Sequence, residues 1–288
     1  MFGLSSRATG LLLTAIGVLV LSPDALTMRI VEADVWALVL WRNLFMAIGV
    51  TLGLVVVYRG RTYSHVRAIG RSGLAAGILF GASSIFFVRS IMLTDVANTL
   101  VIISTTPMLA AVFSHIFLGE RSRRVTWFAV ISVCGGLAIV LANGFDRGNF
   151  AGDIYGLIAA VFMAVNLVVV RRASQRSMIP SVAIGGFMVA LIAVPFAGPL
   201  GVDTVGFGWF AAFNLVLLPI AFGLITTGPR YISAPEVGLV MLIESLLGSF
   251  WVWLALDEIP NSTTFLGGGI ILGVLAIHSI VTLKMQRV

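Results

Sequence analysis

Glu244, Arg42 and Arg89 are ionisable side chains set inside apolar stretches of the sequence. A charge at the centre of a membrane helix costs about 2.5 to 3.5 kcal/mol on insertion scales, so each needs a partner or a task. Glu244, midway along its stretch, is a group that a proton or a cation would neutralise. It suits equally a hydrogen-bonded structural carboxyl beside a helix break. Arg42 and Arg89 could meet a substrate carboxylate, snorkel to the membrane surface, or pair with Asp24 and Asp95.

Uncharged polar residues recur at similar depth: Thr14, Ser83, Ser84, Asn98, Ser104, Thr105, Asn166 and Ser245. Together with Phe80, Phe87, Met163 and Trp251 they could line a cavity for an organic solute that has a polar and an apolar part. The same residue types also serve structure, because Ser and Thr bond to their own helix and Phe faces lipid. Signatures of catalysis are missing. His65, His115 and His278 are widely spaced, Cys134 is alone, and no phosphate-binding glycine loop follows a strand. The expectation is a protein with no catalytic residues, no metal and no cofactor, and hence neither an enzyme nor an ATP-driven pump.

The elements that must position these residues follow from composition. With 59% apolar and 10% charged residues, and a mean hydropathy of +1.08, the chain of 288 residues cannot coat a soluble domain. Crossing about 30 Å of hydrocarbon takes roughly 20 helical residues, and the polar breaks predict ten such helices. They are placed at 9–28, 35–58, 71–93, 96–118, 125–143, 152–172, 180–200, 206–228, 234–256 and 264–283. The runs lack the alternation of membrane barrel strands. The first stretch has no cleavage pattern at Ser22-Pro23-Asp24 and is expected to stay attached.

The last five stretches echo the first five. Phe117-Leu118-Gly119-Glu120 answers Ala255-Leu256-Asp257-Glu258 at an offset of 138 residues, which also sets Leu137-Ala138-Ile139 on Leu275-Ala276-Ile277. Five is odd, so the second unit enters the bilayer from the opposite side. This is the inverted-repeat plan of many secondary transporters. The expected division is 1–143, a periplasmic connector 144–151, and 152–288. The offset sets Gly81 on Pro219 and Pro107 on Ser245, and helix weakening at matched positions points to a central site. Gly81, Pro107 and Pro219 are therefore the gating and hinge candidates. Gly73, Gly77 and Gly81, and again Gly269 and Gly273, offer small faces for close helix packing.

A pI near 10.4 would suggest nucleic acid in a soluble protein, but here the charge is sorted by side. With the amino terminus in the cytoplasm, Arg7, Arg59, Arg61, Arg67, Arg71, Arg121, Arg123, Arg124, Arg171, Arg172, Arg176, Arg230, Lys284 and Arg287 lie inside. Only Arg29 and Arg147 lie outside, beside Glu32, Asp34, Asp95, Asp146, Asp153, Asp203, Asp257 and Glu258. The chain should thus be a multi-pass protein of a bacterial inner membrane with both termini cytoplasmic. Its expected partners are lipid and a small-molecule solute, with no nucleic acid and at most weak self-association. Trp36, Trp41, Tyr58, Trp127, Tyr155 and Trp209 fit an interfacial aromatic belt.

These residues make the chain similar to the drug/metabolite transporter superfamily, in particular its ten-helix branch of two EamA-type repeats. The family's fourth and ninth helices carry a proline or Glu-Pro pair and end in leucine-glycine-glutamate. Here Pro107-Met108-Leu109 leads to Leu118-Gly119-Glu120, and Ile243-Glu244-Ser245 leads to Leu256-Asp257-Glu258. Ser245 replaces the usual proline and Asp257 the usual glycine. Trp41-Arg42-Asn43 resembles the arginine-bearing start of the family's second helix. The resemblance implies that helices one, three, four, six, eight and nine surround a central cavity, with the fifth and tenth peripheral and Glu120 and Glu258 anchoring loops. It implies an inner-membrane exporter of amino acids, those with aromatic side chains included, or of related metabolites, working by alternating access. A drug or other metabolite transporter of the same superfamily is an alternative, and a non-transporting sensor or scaffold is one of another class.

Overall fold

The computed structural model describes residues 6–31, 33–119, 124–146, 150–198 and 204–285. Glu32, Glu120, Arg121, Arg123, Arg147, Asp203 and Arg287, and residues 147–149 of the expected connector, lie outside these. Every regular element among the described residues is helical. Seven helical segments are long and apolar enough to cross a membrane, and three shorter apolar helices complete ten crossings. The first crossing joins α1 (Ser6–Leu21) to α2 (Asp24–Ile30), and the second is α3 (Val35–Tyr58). A surface helix, α4 (Thr62–Ala68), leads to α5 (Gly70–Leu93), the third. The fourth joins α6 (Val96–Ile103) to α7 (Thr106–Leu118), and the fifth, sixth and seventh are α8 (Arg124–Asp146), α9 (Phe150–Arg172) and α10 (Ile179–Ala193). The eighth runs from α11 (Thr204–Ala212) through a π-turn into α12 (Leu218–Thr227). Finally come α13 (Ala234–Leu256) and α14 (Ser262–Met285).

Sequence chemistry sets where these helices break. Pro23 has no N–H to continue α1, so the first crossing is interrupted at Ser22-Pro23, inside the predicted stretch rather than at its edge. The fourth breaks at Ser104-Thr105, one turn ahead of Pro107, and Pro219 opens α12 after the π-helical Phe213–Leu217. Gly81 and Ser245 behave differently: α5 and α13 run unbroken through them. Without proline, Ser245 keeps its backbone donor and the ninth crossing stays whole.

Packing repeats between the halves. The first crossing packs on the eighth and ninth, just as the sixth packs on the third and fourth. The second and seventh pair with each other, as do the fifth and tenth. Adding five to each crossing of the first half reproduces the scheme. Glycine explains the closest approaches. A Cβ on Gly185 would lie 2.5 Å from the Gly77 carbonyl oxygen, and one on Gly49 only 2.1 Å from that of Leu215. Gly269 and Gly273 have no such neighbour. The small residues joining the fifth and tenth crossings are instead Gly136 and Gly267.

Ten crossings leave Ser6 and Met285 at one end of the bundle, called here the terminal end; the opposite end is the distal end.

Candidate functional site

Arg42 is 2% exposed and forms a buried ion pair with Asp24, with Nη2 to Oδ2 at 2.7 Å and Nε to Oδ1 at 3.3 Å. Its Nη1 donates to the Ser84 hydroxyl at 2.7 Å, and Ser84 donates in turn to Asn43 Oδ1 at 2.9 Å. Asn43 is held by its own helix through the Val39 carbonyl. The Pro23 break makes this possible. By starting a new helix at Asp24 it turns that carboxylate inward, toward the second crossing. A charge pair so enclosed is tolerable only because nearly every polar atom has a partner. The pairing option for Arg42 is thus the one the structure adopts. The Phe87 ring lies 5.7 Å from its guanidinium carbon.

This cluster forms one wall of a cavity lined by Leu21, Asp24, Arg42, Phe80, Ser83, Ser84, Phe87, Ile103, Met163, Phe222, Met241 and Glu244. Its lining comes from the first, second, third, fourth, sixth, eighth and ninth crossings. Phe80 and Phe222 meet edge to face at 4.8 Å across the two halves. Of the sequence candidates, Phe80, Ser83, Ser84, Phe87, Met163, Glu244 and Arg42 come together here. The cavity volume is about 40 Å³, enough for water. Pockets for drug-sized ligands hold roughly 300 to 1,000 Å³. A solute therefore enters only when the crossings part.

The other candidates do not line this cavity. Thr14 bonds back to the Gly10 carbonyl at 2.8 Å, and Thr105 to that of Ile102 at 2.7 Å; Ser104 does the same to Val101. Asn166 donates to the Ala76 carbonyl at 2.7 Å, tying the sixth crossing to the third. Ser245 donates to that of Leu100 at 2.8 Å, tying the ninth to the fourth. Asn98 sits at the distal end between Asp153 and Thr264. Gly81 and Pro219 make close helix contacts, and Pro107 packs on Gly238. Arg89 does not pair with Asp95, which accepts from Asn261 at 2.8 Å. Its guanidinium instead lies over Tyr155 at 4.8 Å and Trp36 at 5.3 Å, so two belt aromatics hold a cation. Trp251 donates to Ser22 at 3.1 Å, at the break in the first crossing.

Sequence reasoning missed Leu21, Ile103, Phe222 and Met241 as lining residues. Each is an ordinary apolar residue in an apolar helix, and nothing in its type marks the face it occupies. Asp24 carried a signal, an acid directly after Ser-Pro, and was placed near a helix end.

Polar ties close both ends of the bundle. At the distal end Arg29 donates to the Thr94 carbonyl at 2.8 Å. Glu258 accepts from the Val96 N–H at 2.9 Å and lies 3.4 Å from Arg29, and Thr94 donates to Asp153 at 2.7 Å. At the terminal end Arg171 donates to the Pro229 carbonyl at 2.8 Å, and Arg7 pairs with Glu236 at 2.6 Å. Arg29 and Arg171 are equivalent in the two halves. Each reaches from its half's first crossing to the hairpin between the third and fourth.

The sequence profile of the EamA-like transporter family matches this chain twice, over residues 8–142 and 150–280. The chain belongs to the EamA-like transporter family. EamA-like relatives include proteins named pseudopaline exporter CntI in Pseudomonas aeruginosa strains UCBPP-PA14 and PAO1. Each is 26% identical over 231 residues, covering 76% of this chain and 80% of the relative. A protein named uncharacterized transporter YdfC from Bacillus subtilis strain 168 is 24% identical over 194 residues, covering 65% of this chain and 63% of its own. A crystal structure with 21% identity superposes with a TM-score of 0.72, covering 96% of this chain and 98% of its own, and shows the shared fold. As a member of the EamA-like family the chain is a multi-pass membrane transporter, and exporter-named relatives support a metabolite exporter.

Proposed function

We propose that the protein exports amino acids, aromatic ones included, or closely related metabolites across a bacterial inner membrane by alternating access between residues 1–143 and 152–288. Both termini face the cytoplasm in this reading. The carrying observation is the cavity between the halves, which presents carboxylates, a guanidinium and hydroxyls beside three phenylalanine rings. Such a mixture suits a solute with charged and aromatic parts. Its contracted volume and the ties at both ends fit a carrier that opens one end at a time. The sorting of arginines to the terminal end supports the orientation.

A second reading, export of a secreted metabolite outside the amino acids, is favoured by the relatives named as pseudopaline exporters. Counterflow of labelled amino acids into liposomes holding the purified protein separates the two. Accumulation of phenylalanine or tyrosine well above that of protein-free liposomes is expected. Counterflow of other metabolites only would keep the transporter and discard the amino acids, and no counterflow of any solute would favour a sensor or scaffold.

A further inference from the structure

One of the ionisable residues lining the cavity has no partner among the described residues. Asp24, Arg42 and Glu244 are its ionisable residues. Arg42 is already engaged by Asp24, by Ser84 and by the face of Phe87. Glu244 is 7% exposed and forms no hydrogen bond or ion pair with any other described residue, yet its side chain lines the cavity. A buried carboxylate without donors is costly, so this group either keeps its proton or gives it up when a positive group enters the cavity. The same cavity is lined by apolar and aromatic residues of other crossings, Leu21, Phe80 and Phe222, and by Met241 of the same helix. Aromatic faces also favour cations.

We propose that Glu244 is the counter-ion for a protonated nitrogen on the transported solute. Resting on the transport reading above, this narrows the substrate class to solutes that carry a protonated amine on an apolar body, amino acids with apolar side chains among them. The solute's nitrogen sits against Glu244 and its body against Phe80 and Phe222. Arg42 is not offered to a substrate carboxylate, because Asp24 and Ser84 already hold it. An anionic solute meets the Asp24 carboxylate and an occupied guanidinium, with no free cation to balance it, and is refused.

Three labelled probes of one body and different charge test this at neutral pH by equilibrium binding to the purified full-length protein: phenethylamine, phenethyl alcohol and phenylpropanoate. At least tenfold tighter binding of phenethylamine than of either other probe is expected. Glu244→Gln should remove that preference, and Glu244→Asp should retain part of it. Equal binding of the three probes by the unmodified protein, no binding of phenethylamine, or a preference that survives in Glu244→Gln would overturn the proposal. The probe series alone decides it should the glutamine variant fail to fold. Binding requires no flux. Charge selectivity without counterflow therefore strikes the transport reading alone, and amino-acid counterflow without charge selectivity strikes this inference alone.

Discussion

Asp24 and Arg42 show what a membrane interior demands of single residues. Both are almost fully enclosed, and each is tolerated because the other is present. Removing one partner of such a pair leaves an uncompensated charge and costs about 3 to 5 kcal/mol in folded proteins. Asp24→Asn should therefore lower thermal stability in detergent sharply, and adding Arg42→Gln should restore much of it. Thermal unfolding of the purified variants reads this directly, and a double variant no more stable than the single would deny the coupling. The sequence marked both residues as ionisable groups needing an explanation. It could not choose among substrate contact, snorkelling and pairing, because that choice depends on two helices 18 positions apart meeting side by side.

Helix ends and breaks explain the echo between the fourth and ninth crossings. Leu118-Gly119 and Leu256-Asp257 both end a helix with a left-handed residue, Gly119 at φ 67° and Asp257 at φ 53°. That conformation reverses the chain and satisfies the last carbonyls. Glycine adopts it freely and aspartate tolerably, whereas a β-branched side chain clashes. Asp257→Gly should leave thermal stability near that of the parent, while Asp257→Val should cost about 1 to 2 kcal/mol. Equal melting temperatures for both variants would mean that the cap matters little. The cap also delivers Glu258 to the Val96 N–H at the start of the fourth crossing. This much was legible in sequence, because capping is local. The sequence places Ser22-Pro23 inside the first crossing, but residues alone do not reveal that a separate helix, Asp24–Ile30, continues that crossing beyond it.

Across the whole molecule, the two halves repeat one packing scheme and carry matched ties at opposite ends. Three contacts between the first and ninth crossings, Arg7–Glu236, Ser22–Trp251 and Arg29–Glu258, share a separation of 229 residues. The two crossings thus run parallel and in register. Arg7 and Arg29 span about 33 Å of helix at 1.5 Å per residue, near the ~30 Å thickness of the hydrocarbon core. In the proposed alternating access, Arg29 releases Thr94 as its crossing moves to open the distal end, and Arg171 releases Pro229 to open the terminal end. In a background with Cys134→Ala and Ser83→Cys, a membrane-impermeant thiol reagent reports cavity access from either face. Arg29→Ala should raise labelling from the distal face severalfold, and Arg171→Ala should raise it from the terminal face. Identical labelling patterns for the two variants would deny that these arginines govern opposite ends.

The solvent, the number of crossings, the duplication and the family are legible from the residues alone. Each of these is a sum over many residues or a local repeat, and neither changes when helices shift by a few ångströms. Which polar residues face one another emerges only when the helices pack. That packing gathers Ser83, Ser84, Arg42 and Glu244 at one cavity and gives Asn166 and Ser245 to helix contacts. The reason is rotational. A helix of 3.6 residues per turn in lipid has little hydrophobic asymmetry to show which face is inward. Only contact with its neighbours fixes which side chains meet the solute path.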